Sequence, residues 1–143
     1  MAMTIEAEDV AGARPVAVLT LAGELDASNY ERLIEAAQAA YGRGARGLVL
    51  DMTGLTFMAS SGLVALYSAV RIMRGDAPPD PESGWGALHE LANEESTARN
   101  VRLAGVQPAV ERVLERTGLR RLFEIDASST EATAALQLSL IHI

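Results

Sequence analysis

The stretch 47–74, GLVLDMTGLTFMASSGLVALYSAVRIMR, decides how the rest of the chain is read. Leu48, Val49 and Leu50 form the nearly unbroken apolar run of a central strand covered on both faces, and Asp51 closes it. Thr53 and Gly54 then turn the chain. Leu63, Leu66, Tyr67, Val70 and Met73 follow at the three- and four-residue spacing of an amphipathic helix. The helix opens on Ser60, Ser61 and Gly62, so two hydroxyls stand at the positive end of a helix dipole, where backbone N–H groups lack intrahelical partners. With Ser60 as the N-cap, its oxygen accepts from the N–H of Gly62 or Leu63. Ser61 is then left pointing outward, and Gly62 adds no side chain to crowd it. Such a helix entrance is a favourable place for a phosphate.

Working outward, the same alternation of strands and helices recurs. Met3 to Ala7 reads as an edge strand, and Pro15 to Leu21 as a better one leading into Gly23. A first helix starts near Asp26 to Ser28, where Ser28 and Glu31 have capping-box spacing, and presents Tyr30, Leu33, Ile34, Ala37 and Tyr41 on one face until Gly42. After the central unit come a strand over Val101 to Ala104 and a helix from Pro108 to Thr117 stopped by Gly118. A short strand at Leu122, Phe123 and Ile125 and a helix start at Ser128 with Glu131 complete the series. This rhythm predicts an open α/β layer with helices covering the sheet.

Two segments stand apart. Residues 75–98 form an acidic insertion containing Pro78, Pro79 and Pro81, with Asp76, Asp80, Glu82, Glu90, Glu94 and Glu95 uninterrupted by any arginine; its part Ala87 to Glu95 has the length of a short helix. Residues 139–143 resemble translated vector sequence and are read as a non-native tail, leaving one domain over 1–138.

Composition narrows the function. The 143-residue chain has no cysteine and no lysine, all twelve basic residues being arginine. Disulfides, thiolate metal sites, Schiff-base chemistry and the P-loop lysine are therefore excluded. A net charge of −7 opposes nonspecific association with nucleic acid or an anionic bilayer. No secretory pattern opens the chain and no apolar run spans a bilayer, which gives the expectation of a cytoplasmic protein acting away from membranes. Enzyme chemistry is thin: His89 has no nucleophile paired to it in the sequence, Gly42-Arg43-Gly44 is too short for a dinucleotide site, and Asp51 lacks a second convergent carboxylate. No catalytic residue, metal or cofactor is expected, and a small α/β enzyme is the weakest reading.

Three segments together resemble the STAS domain of bacterial anti-sigma factor antagonists. These are Leu21 to Asp26, Leu48 to Leu66 with Asp51, Gly54, Leu55, Phe57, Ser60, Ser61 and Gly62 in the order of the family's phosphorylation-loop motif, and Val101 to Ile125 with Gly105, Thr117, Gly118 and Leu119. The resemblance implies an α/β domain with a mixed β-sheet packed against four to five α-helices, which works by binding. An unmodified antagonist docks an anti-sigma factor serine kinase of histidine-kinase-like ATPase fold and so releases a sigma factor. Phosphorylation at the position matching Ser61 switches it off, and a serine phosphatase restores it. Asp26, Ser60, Ser61 and Gly62 are the implied partner-binding residues. Ala59 stands where the family often has aspartate. The alternative roles on the same fold are a non-phosphorylated scaffold and the STAS subunit of a lipid-transport ABC system.

Overall fold

The computed structural model describes residues 2–77 and 99–141. Its order is β1 (Met3–Val10), β2 (Val16–Leu25), α1 (Tyr30–Gly42), β3 (Gly47–Met58), α2 (Ser60–Met73), β4 (Val101–Ala104), α3 (Pro108–Arg116), a 3₁₀ turn (Arg120–Leu122), β5 (Glu124–Asp126) and α4 (Ser129–Ile141). The strands form one sheet in sequence order; β1 runs antiparallel to β2 and every other pair is parallel. The mixed sheet and its helices are the architecture expected from the sequence, with four α-helices among the described residues. The insertion's residues 78–98, including the helix expected at Ala87 to Glu95 and His89, lie outside those residues.

Period-two alternation splits each central strand between two cores. Ala17, Leu19, Leu21, Leu48, Leu50 and Met52 face the larger core, shared with α1, α2 and α3. Val16, Val18 and Val49 face a smaller one closed by Ala132 and Leu136 of α4. Both faces of the sheet are thereby covered, which explains why Leu48 to Leu50 read as an uninterrupted apolar run. Ser128 caps α4 as expected, its hydroxyl accepting from the Glu131 N–H at 3.2 Å. The short β5 is held by a two-pronged ion pair from Arg102 Nε and a terminal guanidinium nitrogen to the Asp126 carboxylate, at 2.8 and 3.1 Å. The Asp126 carboxylate in turn keeps the Arg102 guanidinium more firmly charged than usual.

The structure departs from the sequence reading in four places. First, β3 does not end at Asp51 and Thr53-Gly54 is no turn: the strand continues to Met58, still paired with β2. Between the pairs Thr20↔Asp51 and Leu25↔Met58, β3 carries two residues more than β2, inserted at two register shifts. Such bulges abolish period two, so the pattern looks like a loop. Asp51 holds the first bulge, its carboxylate accepting from the Thr53 N–H at 3.1 Å and hydroxyl at 2.7 Å.

Second, α2 is not amphipathic. Eleven of its fourteen residues are buried, including Val64, Ala65, Ala69 and Ile72 outside the expected face, so its burial cannot be inferred from a single stripe. Third, the Ser28–Glu31 capping box does not form. The N-cap of α1 is Asn29, buried, whose amide donates to the Glu24 carbonyl at 2.8 Å and accepts from the Asp26 N–H at 3.0 Å. Ser28 instead donates its hydroxyl (2.6 Å) and its N–H (2.9 Å) to the Asp26 carboxylate. Ser28 thus lies one residue before the N-cap, with its hydroxyl turned to the Asp26 carboxylate rather than to the helix. Fourth, Leu122 and Phe123 precede the last strand rather than form it.

Gly105, directly after β4, has φ of +62°, and the space a Cβ would need is filled by the Thr53 hydroxyl of the first bulge. Gly118 has φ of +76° with nothing in that space. Gly105→Ala is therefore expected to cost about 1–3 kcal/mol, and Gly118→Ala only the backbone part of that; denaturant midpoints compare the two, and equal losses would mean that the Thr53 contact yields freely. A second expectation concerns pH. The Ser28 hydroxyl, then its N–H, hold the Asp26 carboxyl below the ordinary aspartate value of 3.8. A folded value below the unfolded one means the ionised group stabilises the turn above the unfolded value, and that contribution disappears as pH falls through the folded one. In Ser28→Ala, the Asp26 carboxyl should titrate closer to 3.8 by carbon-detected NMR, and the stability difference from wild type should close in acid.

Candidate functional site

Parallel pairing of β2 and β3 brings their carboxyl ends to one edge. Leu25 and Met58 are register partners, and the Ala59 N–H donates to the Leu25 carbonyl at 2.9 Å. The next residue on one strand is Asp26, and the next on the other begins the entrance to α2. Asp26 and the serine pair, 34 and 35 residues apart in the chain, thus leave neighbouring strands side by side. Open α/β sheets present their functional residues at this kind of edge. Asp26 is spent on Ser28 and makes no hydrogen bond to either serine.

The helix entrance differs from the sequence expectation by one residue. Ala59, with extended backbone (φ −83°, ψ 170°), is the N-cap and supplies no side-chain acceptor. Ser60 is thus the first helical residue and is exposed, while Ser61 is the second and only half-exposed. The Ser61 hydroxyl oxygen, expected outside, is buried and has no hydrogen-bond partner. Leaving a buried hydroxyl unpaired costs about 1–3 kcal/mol, so little opposes a turn of this side chain about χ1 toward solvent.

Gly62 also has a different task from the one expected. It is buried, and an added Cβ would collide with Met58 Cγ and press on Leu25 Cδ2 at 3.0 Å. The glycine therefore lets the first turn of α2 close onto the ends of β2 and β3. Its absence of side chain serves packing rather than access.

Beside the entrance lies a cleft of about 450 Å³ between the end of β3 and α3, lined by Phe57, Met58, Ser60, Arg112, Val113 and Arg116 among others. Phe57, 46% exposed, stands at its rim. The far wall is tied to β3 by the Gln107 side-chain amide, which donates to the Thr53 carbonyl immediately before Pro108 starts α3. Phe57 and the α3 arginines were not singled out as functional in the sequence. The available signal was an aromatic residue preceding the serine pair and two arginines at i, i+4 spacing. Among the described residues there is no cluster of three or more histidine, cysteine, aspartate or glutamate side chains placed to hold a metal, and no helix long and apolar enough to cross a membrane.

Comparison with known proteins agrees with this geometry. Residues 9–77 match the family model described as "Mlab, STAS domain". None of the curated proteins matches the sequence. Among solved structures, an anti-sigma factor antagonist from Mycobacterium paratuberculosis is 23% identical with a TM-score of 0.64, 95% of each chain being covered. The anti-sigma factor antagonist SpoIIAA in its unphosphorylated form is 21% identical with a TM-score of 0.60, covering 94% of this chain and 96% of that one. The Bacillus cell fate determinant SpoIIAA in its phosphorylated form is 21% identical with a TM-score of 0.54, covering 93% and 99%. At such identities the likeness is one of fold. Residues 9–77 therefore correspond to a STAS-domain model, and the chain has the fold seen in anti-sigma factor antagonists.

Proposed function

We propose that this chain is an anti-sigma factor antagonist: it docks an anti-sigma factor serine kinase at the edge formed by Asp26 and the entrance to α2, releases a sigma factor, and is switched off by phosphorylation of Ser61. The observation that carries this reading is the serine pair at the start of α2, on a fold shared with antagonists of which one is described in a phosphorylated form. A serine phosphatase would reset the switch.

The physics of such a switch is simple. A phosphate adds about −1.5 to −2 charges and three strong acceptor oxygens. At an exposed helix N-terminus that charge is tolerated, contributing about 0.3–1 kcal/mol, so the fold survives modification. A partner packed against the same point loses contact; about 3 kcal/mol lost to repulsion and desolvation lowers affinity more than a hundredfold. Because the Ser61 oxygen is buried in this conformation, the kinase must take it in a rotated χ1 state. That requirement separates Ser61 from the permanently exposed Ser60.

A second reading is a STAS subunit of a lipid-transport ABC system that is never phosphorylated. It is favoured by the matching family model's description, by the inward Ser61 hydroxyl and by Ala59 in the place of an aspartate. Formation of a stoichiometric complex with an ABC ATPase subunit, rather than with a serine kinase, would select it.

Incubation with the cognate kinase and ATP followed by site mapping should place phosphate on Ser61. Ser61→Ala should bind the kinase like wild type, and Ser61→Asp at least about tenfold more weakly. Phosphate on Ser60 alone would reject the assignment of the acceptor. No incorporation, with equal binding by all three proteins, would reject the switch itself.

A further inference from the structure

The cleft between the end of β3 and α3 combines three properties that no part of the switch requires. Its floor is apolar, made by buried Met58 and half-buried Val113, and its rim holds the 46% exposed Phe57. Its α3 wall carries Arg112 and Arg116, one helical turn apart and both exposed. The ion pairs Arg43–Asp9, Arg102–Asp126 and Arg120–Glu111 involve neither cleft arginine. Arg112 makes only a long 3.4 Å contact from Nε to the Pro108 carbonyl. Glu111, the nearest carboxylate in sequence to Arg112, is engaged by Arg120 and does not line the cleft.

These facts select an occupant by charge. On a chain of net charge −7, two exposed guanidiniums flanking an apolar floor give this cleft a positive wall. An acidic ligand is repelled elsewhere and favoured here, so the arrangement gives orientation as well as attraction. Arginine suits the task because its planar fork grips a carboxylate with two bonds. The Gln107–Thr53 hydrogen bond fixes α3 against β3, so the groove is formed before anything enters it.

We infer that this cleft is a second docking element, which receives an acidic segment of the anti-sigma factor carrying one apolar anchor: the anchor packs on Phe57, Met58 and Val113, and its flanking carboxylates pair with Arg112 and Arg116. The inference rests on the antagonist reading and extends it. Ser60 forms part of the cleft wall, so charge added at the entrance to α2 lies beside the arginines that the partner's carboxylates use. A phosphate there competes for those cations in addition to repelling the partner directly.

The test is calorimetric titration of the cognate anti-sigma factor into wild type, R112Q/R116Q, R112K/R116K and Phe57→Ala, at low and high salt. R112Q/R116Q should bind about tenfold or more weakly at low salt and show a flatter salt dependence than wild type. R112K/R116K should keep the salt dependence and recover part of the affinity, whereas Phe57→Ala should weaken binding equally at both salt concentrations. All three positions changed are exposed or at the rim, and thermal unfolding checks that the variants remain folded. If R112Q/R116Q and Phe57→Ala bind as wild type does, with an unchanged salt slope, the cleft is not a docking element although the antagonist reading stands. If wild type itself does not bind the anti-sigma factor, both fall together.

Discussion

The structure depends on the parallel pairing of β2 with β3 continuing beyond the point where β3 leaves β4. β4 pairs only with Leu48 to Asp51, whereas β2 follows β3 to Met58. Two inserted residues allow the longer strand to keep its hydrogen bonds while twisting away from the sheet. The last rung, Leu25 with Met58, ends in the Ala59 N–H bond to the Leu25 carbonyl, and this sets where α2 begins and in what direction it runs. Gly62 then lets the helix descend onto those same two side chains. Shift that rung and Asp26, the serine pair and the cleft lose their common edge.

Each bulge is secured by short-range chemistry drawn from a different part of the chain. Asp51 binds the backbone and hydroxyl of Thr53, Thr56 donates to the Gly23 carbonyl at 3.1 Å, and Gly105 and Gln107 close on Thr53 from the other side. The residues that carry the motif resemblance, Asp51, Gly54, Phe57 and Gly105, are thereby mostly residues that shape β3. They deliver the entrance to α2 and the rim of the cleft, where Phe57 stands exposed, to the same surface.

Electrostatics divides that surface. The Asp26 carboxylate is kept ionised and occupied by two hydrogen bonds from Ser28, and the paired arginines at positions 43, 102 and 120 are spent on structure. What remains beside the serine pair is the arginine couple of α3. On a chain of net charge −7, an arginine-lined groove next to a hydroxyl-bearing helix entrance is suited to a partner that is positioned by charge and released by added charge.

The sequence by itself determined the elements whose physics is local and periodic: the apolar run Leu48 to Leu50, the helix after Ser60, Pro108 at the head of α3, the Ser128 cap, and through their order a mixed α/β layer. It also placed Ser60 and Ser61 at a helix entrance. Tertiary structure alone decided the outcomes that depend on competition between distant groups. Whether β3 ends at Asp51 depends on β2 offering partners up to Leu25. Ser28 turns to the Asp26 carboxylate rather than capping α1, because Asn29, fixed on the Glu24 carbonyl and the Asp26 N–H, occupies the N-cap position. The Ser61 oxygen turns inward, and Phe57 meets Arg112 and Arg116, only once the sheet edge and α3 are assembled. A window of sequence holds the preferences of each residue, but not which of several partners will stand within hydrogen-bond distance of it.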